Sequence, residues 1–170
     1  MISAKKVLER NKITYWLDGG TLLWAVRDGS PDETDTDFSI WFEDRERIEE
    51  LKDEFKEEGL DLVATFKNSK LGTVEYAFKK NGKKVDIFLK QVEGEKAYHI
   101  ATDGESSIFY TQPAYHFDTL DTVEMGGETW PIPNDVENYL ETYYGDTWRT
   151  HISDWDWRVS SPCIDKEWKI

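Results

Sequence analysis

The chain has 170 residues, 33% charged and 14% aromatic, with too much Trp, Tyr and Phe for a disordered segment and too much charge for a membrane span. Its length suits one α+β domain over residues 1–170. With 21 Lys and Arg against 35 Asp and Glu, the net charge of −14 repels a phosphate backbone and argues against DNA or RNA as partner. Cys163 is the single cysteine, which excludes an intramolecular disulfide and a thiolate cluster. Nothing at residues 1–10 has the basic-then-apolar pattern of a secretory signal, so the expected setting is reducing and cytoplasmic, with Cys163 as a packing residue.

In chain order, "SAKKVLERN" at 3–11 predicts a short helix capped by Ser3. "ITYWL" at 13–17 reads as a strand, Gly19 and Gly20 as a tight turn, and "TLLWAVRDG" as a helix stopped by Gly29. After a loop, "SPDE", the run "TDFSIWF" at 36–42 predicts a strand with Asp37, Ser39 and Trp41 on one face and Phe38, Ile40 and Phe42 on the other. Asp44 is placed to cap one amphipathic helix carrying Ile48, Leu51 and Phe55. Strands are expected at 60–66, 73–80 and 84–90, the last two joined at Asn81-Gly82, a strong hairpin signal. Residues 95–111 add one or two more, and "FDTLDTVEMGGETWPIP" reads as a further hairpin. Asn134 and Glu137 predict a capping box for a last helix with Val136, Leu140 and Tyr143 on its apolar stripe, ended by Gly145. The Trp-rich tail reads as irregular.

Asp35 and Asp37 lie two residues apart and so share one strand face. Side chains at i and i+2 stand close, and two carboxylates there repel unless a proton or a cation lies between them. A hard divalent ion such as Mg²⁺, with Mn²⁺ as the alternative, takes oxygen ligands and keeps positions open for phosphates. The "GGT" at Gly19, Gly20 and Thr21 lets a phosphate approach the backbone at the start of a helix. Asp86 in "KVDIF" alternates with Val85 and Ile87, so on a half-buried strand it points away from the apolar residues. It is the best candidate for a third acid, because Asp is disfavoured in strands. Each signal alone is weak; the order strand, Gly-Gly-Thr, helix, Asp-x-Asp and later strand Asp is what points to a site. His99, His116 and His151 lack metal-ligand spacing and read as surface or strand residues. Tyr143 and Tyr144 read as helix packing, and Trp148, Trp155 and Trp157 as anchors of the tail.

"LDGGTLLWAVRDG", "ETDTDFSI", "KVDIF" and "WPIPNDVENYLETYYGDTW", in this order over residues 15–148, resemble the LicD/fukutin-type branch of the nucleotidyltransferase superfamily. The resemblance implies a polymerase-β-like nucleotidyltransferase core, with a mixed or antiparallel sheet flanked by helices. It implies a phosphate-bearing group, phosphocholine or an alditol phosphate, moved from a CDP-linked or NTP donor to a hydroxyl acceptor such as a glycan. By position, Gly19, Gly20 and Thr21 would contact donor phosphates and Asp35, Asp37 and Asp86 would hold Mg²⁺. Arg27 would neutralise phosphate charge or serve the C-terminal end of its own helix. The chain departs from the family pattern at residues 29–33, which lack an aromatic-rich stretch before the acids. Two rival readings are a metal-dependent glycosyltransferase using the Asp-x-Asp pair and a non-catalytic nucleotide-binding module of the same fold.

Overall fold

The computed structural model describes residues 1–30, 35–102 and 107–165. Most of the "SPDE" loop and of the segment that departs from the family pattern therefore lies outside the described residues. Helix α1 (Ile2–Arg10) buries Ala4, Val7 and Leu8 on one face. Its cap is Met1, not Ser3, and the Ser3 hydroxyl instead accepts from the Lys80 ammonium at 2.7 Å. Strand β1 (Tyr15–Leu17) runs directly into α2 (Gly19–Arg27). This helix starts at Gly19 rather than Thr21, because the Asp18 carboxylate accepts the Gly19 N–H and caps it.

Strand β2 (Asp37–Trp41) is followed by one turn of 3₁₀ helix, Phe42–Asp44, which takes Phe42 out of the strand. The single amphipathic helix expected next is two, α3 (Arg45–Glu50) and α4 (Lys52–Glu57), offset at Leu51. Asp44 makes no cap; its carboxylate pairs with Arg47 at 2.6 Å. Ile48 and Phe55 are buried as the periodicity predicts, Phe55 stacked on Phe78 with ring centroids 4.5 Å apart.

Strands β3 (Asp61–Asn68), β4 (Gly72–Lys80) and β5 (Lys83–Glu93) form a meander. Asn81 and Gly82 both have positive φ, 52° and 81°, as a type I′ hairpin requires. Strands β6 (Lys96–Thr102) and β7 (Ser107–Pro113) pair with each other, and β8 (Leu120–Met125) and β9 (Glu128–Pro133) form the separate hairpin. Helix α5 (Val136–Tyr144) begins after Asp135, which has left-handed φ and ψ and makes no side-chain cap. Asn134 is not the cap because its backbone is committed elsewhere: its N–H donates to the His116 carbonyl and its carbonyl meets His116 Nδ1, both at 2.8 Å.

The main sheet runs β1-β2-β5-β4-β3, with β6 on the far half of β5 and β7 beyond it. The β2–β5 pair is parallel and its neighbours are antiparallel, so the sheet is mixed, flanked by helices, in line with the α+β expectation. A parallel neighbour needs a long crossover, supplied here by α3, α4, β3 and β4. That crossover sets Asp37 directly opposite Asp86. The expectation that β5 is only half-buried is corrected: Val85, Asp86 and Ile87 are all buried. One face of β5 meets the hydrophobic core, and Asp86, Phe88 and their neighbours on the other face line a cavity. The described residues after α5, 145–165, are irregular and tied along β7, where the Thr111 N–H donates to the Cys163 carbonyl and the Asp165 N–H to that of Phe109, both at 2.8 Å. Cys163 is buried, and burial raises its thiol to about 11, the state of an inert packing residue.

Candidate active site

One carboxylate oxygen from each of Asp35, Asp37 and Asp86 falls within 4.8 Å of the other two. Asp37 opens β2, Asp35 lies two residues ahead of the strand rather than within it, and the parallel register sets Asp86 opposite Asp37. The structure thus brings together the three acids singled out from the sequence. Three carboxylates at that spacing repel one another. Burial, then Asp35 and Asp86, push Asp37 up to about 8. Burial pushes Asp86 up to about 6, against the opposing pull of Lys84, whose ammonium is hydrogen-bonded to it. Asp86 is 3% exposed, and its Oδ1 has no hydrogen-bond partner among the described residues. A buried carboxylate oxygen left bare costs about 1–3 kcal/mol or more. An all-oxygen set with one bare lone-pair site suits a hard divalent cation.

Gly19 and Gly20 border the acids and line the cavity. Gly19 has φ +51°, and a Cβ there would stand 2.9 Å from Asp37 Oδ2, so glycine is demanded by both the backbone and the carboxylate. Gly19→Ala is expected to lower stability by about 1–2 kcal/mol from the left-handed conformation alone and, by displacing Asp37, to weaken divalent-cation binding at least tenfold. Urea unfolding and a Mn²⁺ titration check the two effects separately.

Thr21 is placed differently from Gly19 and Gly20. It is 1% exposed and, unlike the two glycines, is not among the residues that line the cavity. Its hydroxyl accepts the Asp37 N–H at 2.8 Å and its own N–H donates to Asp37 Oδ2 at 3.3 Å. Thr21 is a strut that fixes α2 against β2. Arg27 lines the cavity, lies over the Trp24 ring at 4.9 Å and pairs with Asp28 at 2.9 Å.

Several residues in and beneath the cavity carried no role in the sequence reading. Asp18 is 1% exposed and accepts four donors: the Gly19 N–H (2.9 Å) and Tyr139 hydroxyl (2.6 Å) at Oδ1, the Ser39 hydroxyl (2.7 Å) and Lys90 ammonium (2.9 Å) at Oδ2. Burial alone would raise its pKa, but the Lys90 charge wins and holds it well below the usual carboxylate range. Lys90 is fully buried and also donates to Gln112 and Tyr139. This knot ties β2, β5 and α5 to the first turn of α2. Two sequence signals pointed to it: an Asp immediately before a helix is a preferred N-cap, and strand alternation puts Lys90 on the face of Asp86. Glu75 is a fourth acid lining the cavity and, like Asp86, is buried and interrupts a strand.

The cavity, of about 460 Å³, is lined by aromatic residues as well as the acids, including Trp24, Tyr144, Trp148, Trp155 and Trp157. The tail tryptophans are therefore both anchors and walls: Trp148 is buried, and Trp155 packs on Tyr144 at 4.8 Å. Tyr143 packs as expected but also lines the cavity. His99 is a strand residue of β6, but a buried one, and the reading is corrected for His116, which is buried in a 3₁₀ turn at Ala114–Phe117. His99 stacks on Tyr110 at 4.8 Å, and burial followed by the Lys90 charge pushes it down to about 3, so it stays neutral.

An acidic triad on a mixed sheet beside a glycine-led helix is the layout of a nucleotidyltransferase-type protein. Among solved structures the fold is similar to the lincosamide antibiotic adenylyltransferase LnuA in its lincomycin-bound form, with a TM-score of 0.51 and 16% identity over 82% of this chain and 81% of that one. Residues 12–135 match the family described as LicD/FKTN/FKRP, nucleotidyltransferase domain, and the chain belongs to that family. Mouse (Mus musculus) ribitol-5-phosphate transferase FKTN is 30% identical over 95% of this chain and 35% of its own length. The human protein of the same name is 26% identical over the same shares. An uncharacterized protein of Rickettsia typhi, RT0683, is 29% identical over 83% of this chain and 44% of its own. The chain thus spans about a third of the length of the FKTN relatives it matches. Among the described residues no helix is long and apolar enough to cross a membrane.

Proposed function

We propose that this chain is a single nucleotidyltransferase domain that moves a phosphate-bearing group from a nucleotide-activated donor to a hydroxyl acceptor. The observation that carries the reading is the convergence of Asp35, Asp37 and Asp86 beside the Gly19–Gly20 turn. The ribitol-5-phosphate transferases among its relatives favour an alditol phosphate from a CDP-linked donor, with phosphocholine and NTP donors as the other members of the class and a glycan as acceptor.

Asp35, Asp37 and Asp86 would hold Mg²⁺ or Mn²⁺, which when bound supplies electrostatic stabilisation of the attacking and leaving oxygens of an in-line displacement. Gly19 and Gly20 leave their backbone open to a donor phosphate at the start of α2. Arg27 and Lys84, both lining the cavity, offer positive charge to the same phosphates. Thr21 serves indirectly, by fixing Asp37.

The reading predicts a defined response to pH. Asp37 and Asp86 are raised to about 8 and about 6. A group raised in the folded state binds its proton more tightly there than when unfolded, so the cation-free protein loses stability as pH climbs from about 4 through 8. A cation relieves that loss. Mg²⁺ or Mn²⁺ is therefore expected to raise the melting temperature by several degrees at pH 8.5 and by little at pH 5.5, where protons compete for the same oxygens. CDP-ribitol or CDP-choline should add a further rise only when the metal is present. Thermal melts across that grid test the function: no metal response at either pH, and no donor response, would refute it.

A further inference from the structure

We propose that Glu75 receives the acceptor, its carboxylate taking first the hydrogen bond and then the proton of the attacking hydroxyl. The assignment rests on the transferase reading above. Glu75 lies on β4, is 5% exposed and lines the cavity. Among the described residues no hydrogen bond or ion pair holds its carboxylate. A carboxylate that lines a cavity and has no protein donor on it is left to whatever binds there.

Its position across the sheet gives it the acceptor role. The order from the sheet edge is β1, β2, β5, β4, β3. Gly19 follows β1, Asp37 stands on β2 and Asp86 opposite it on β5. On β4 the residue opposite Asp86 is Ala77, whose short side chain leaves space above it. Glu75, two residues along on the same face, stands diagonal to Asp86, about 7–8 Å away by sheet geometry. The donor-phosphate turn and Glu75 thus lie on opposite sides of the row of acids. An in-line displacement places leaving and entering oxygens on opposite sides of phosphorus, so the entering hydroxyl arrives on the Glu75 side. Phe66 and Phe88 flank Glu75 in register on the neighbouring strands and also line the cavity, framing a single polar group.

The other acids belong to the cation cluster: Asp86 is bound by Lys84 through Oδ2 and, with Asp35 and Asp37, gives an oxygen to the triad, while His99, whose Nδ1 has no hydrogen-bond partner among the described residues, is held flat by Phe88 and Tyr110. In the transfer, the acceptor O–H bond breaks and its proton passes to Glu75. The acceptor oxygen bonds to phosphorus, and the bond from phosphorus to the leaving nucleotide oxygen breaks with its electron pair on the nucleotide.

The test is CMP release from CDP-ribitol and CDP-choline with Mg²⁺, in the wild-type chain and in Glu75→Gln, with methyl β-galactoside and with water as acceptors. Glu75→Gln is expected to keep the wild-type metal and donor thermal shifts while turnover falls about 10²- to 10³-fold, the usual contribution of a positioned base. In Glu75→Ala, added formate should restore part of the rate, which a purely structural residue would not allow. Turnover within threefold of wild type in Glu75→Gln, or loss of the metal and donor shifts together with turnover, overturns the assignment and leaves the transferase reading standing. Turnover that falls in Glu75→Gln without any formate rescue of Glu75→Ala also overturns it. A wild-type chain with neither donor shift nor CMP release overturns both.

Discussion

Asp37→Asn is expected to abolish transfer while making the cation-free protein more stable, and the opposite signs are the signature of this site. Asp37 lies within 4.8 Å of Asp35 and Asp86 and is raised to about 8 by burial and by those two charges. At pH 8 the folded protein holds carboxylates crowded together. Asparagine keeps the shape, retains an oxygen for the Thr21 N–H and removes one charge. It should therefore raise the unfolding free energy of the metal-free chain by about 1–3 kcal/mol at pH 8, the scale of one relieved buried like-charge contact. The gain should fade towards pH 5, where Asp37 is already protonated in the wild type. Transfer should fall by about 10³-fold or more, because the cation's transition-state stabilisation is worth several kcal/mol and each 1.36 kcal/mol is tenfold. Urea denaturation at both pH values, with turnover of the donor that the wild type accepts, checks both signs. A variant that is inactive and also destabilised at pH 8 would indicate plain structural damage.

The largest stability effect is expected at the other buried charge. Lys90→Met should cost about 3–5 kcal/mol, because it strands the Asp18 carboxylate in the core without its cation. Lys90 is fully buried, 2.9 Å from Asp18 Oδ2, and its ammonium also meets Gln112, Tyr139 and the face of Phe117. The Asp18→Asn, Lys90→Met double variant should recover much of that loss, since it leaves no unpaired charge behind. The sign of the pH dependence also follows. Asp18 is held below its ordinary range by Lys90, so its share of stability is present above about pH 4 and lost as pH falls below that. The double variant should lack this acid loss. Denaturant midpoints for the two single variants and the double variant, at pH 7 and pH 3, measure the coupling directly. If Lys90→Met alone costs less than 1 kcal/mol, the pair does not hold the core in the way described.

How much of this was legible in the sequence depends on which force set each feature. Strands and hairpins were readable where local chemistry decides, as at Asn81-Gly82, where two adjacent positive φ values need those residue types. The closeness of Asp35 and Asp37 was readable from their spacing, although Asp35 lies just ahead of β2. Their approach to Asp86 was not, since it depends on the parallel β2–β5 register across a long crossover, which no local pattern encodes. Strand alternation singled out Asp86 as a candidate third acid, and the family resemblance added the expectation that it meets the other two. The helix caps were misread at Ser3, Asp44 and Asn134 because tertiary partners claimed them: Lys80 took the Ser3 hydroxyl, Arg47 the Asp44 carboxylate and His116 the Asn134 backbone.

The Asp18–Lys90 pair was missed for a related reason. A lysine near a strand end is ordinarily exposed, and only the packing of α5 over β5, with Tyr139 on the same carboxylate, makes burial of Lys90 tolerable. His99 was likewise hidden, because its neutrality depends on a stack of rings drawn from β6, β7 and α5. Glu75 carried the same signal as Asp86, an acid interrupting an apolar strand, but lay outside the recognised motif blocks. The features missed are those in which distant segments lend each other a polar partner or withhold one.

The most direct measurement is an anomalous difference map from crystals of this chain soaked in Mn²⁺. The account predicts a peak bounded by carboxylate oxygens of residues 35, 37 and 86 and adjoining the backbone of Gly19, lost in Asp37→Asn. Manganese bound elsewhere, with those three carboxylates still clustered and bare, would contradict it.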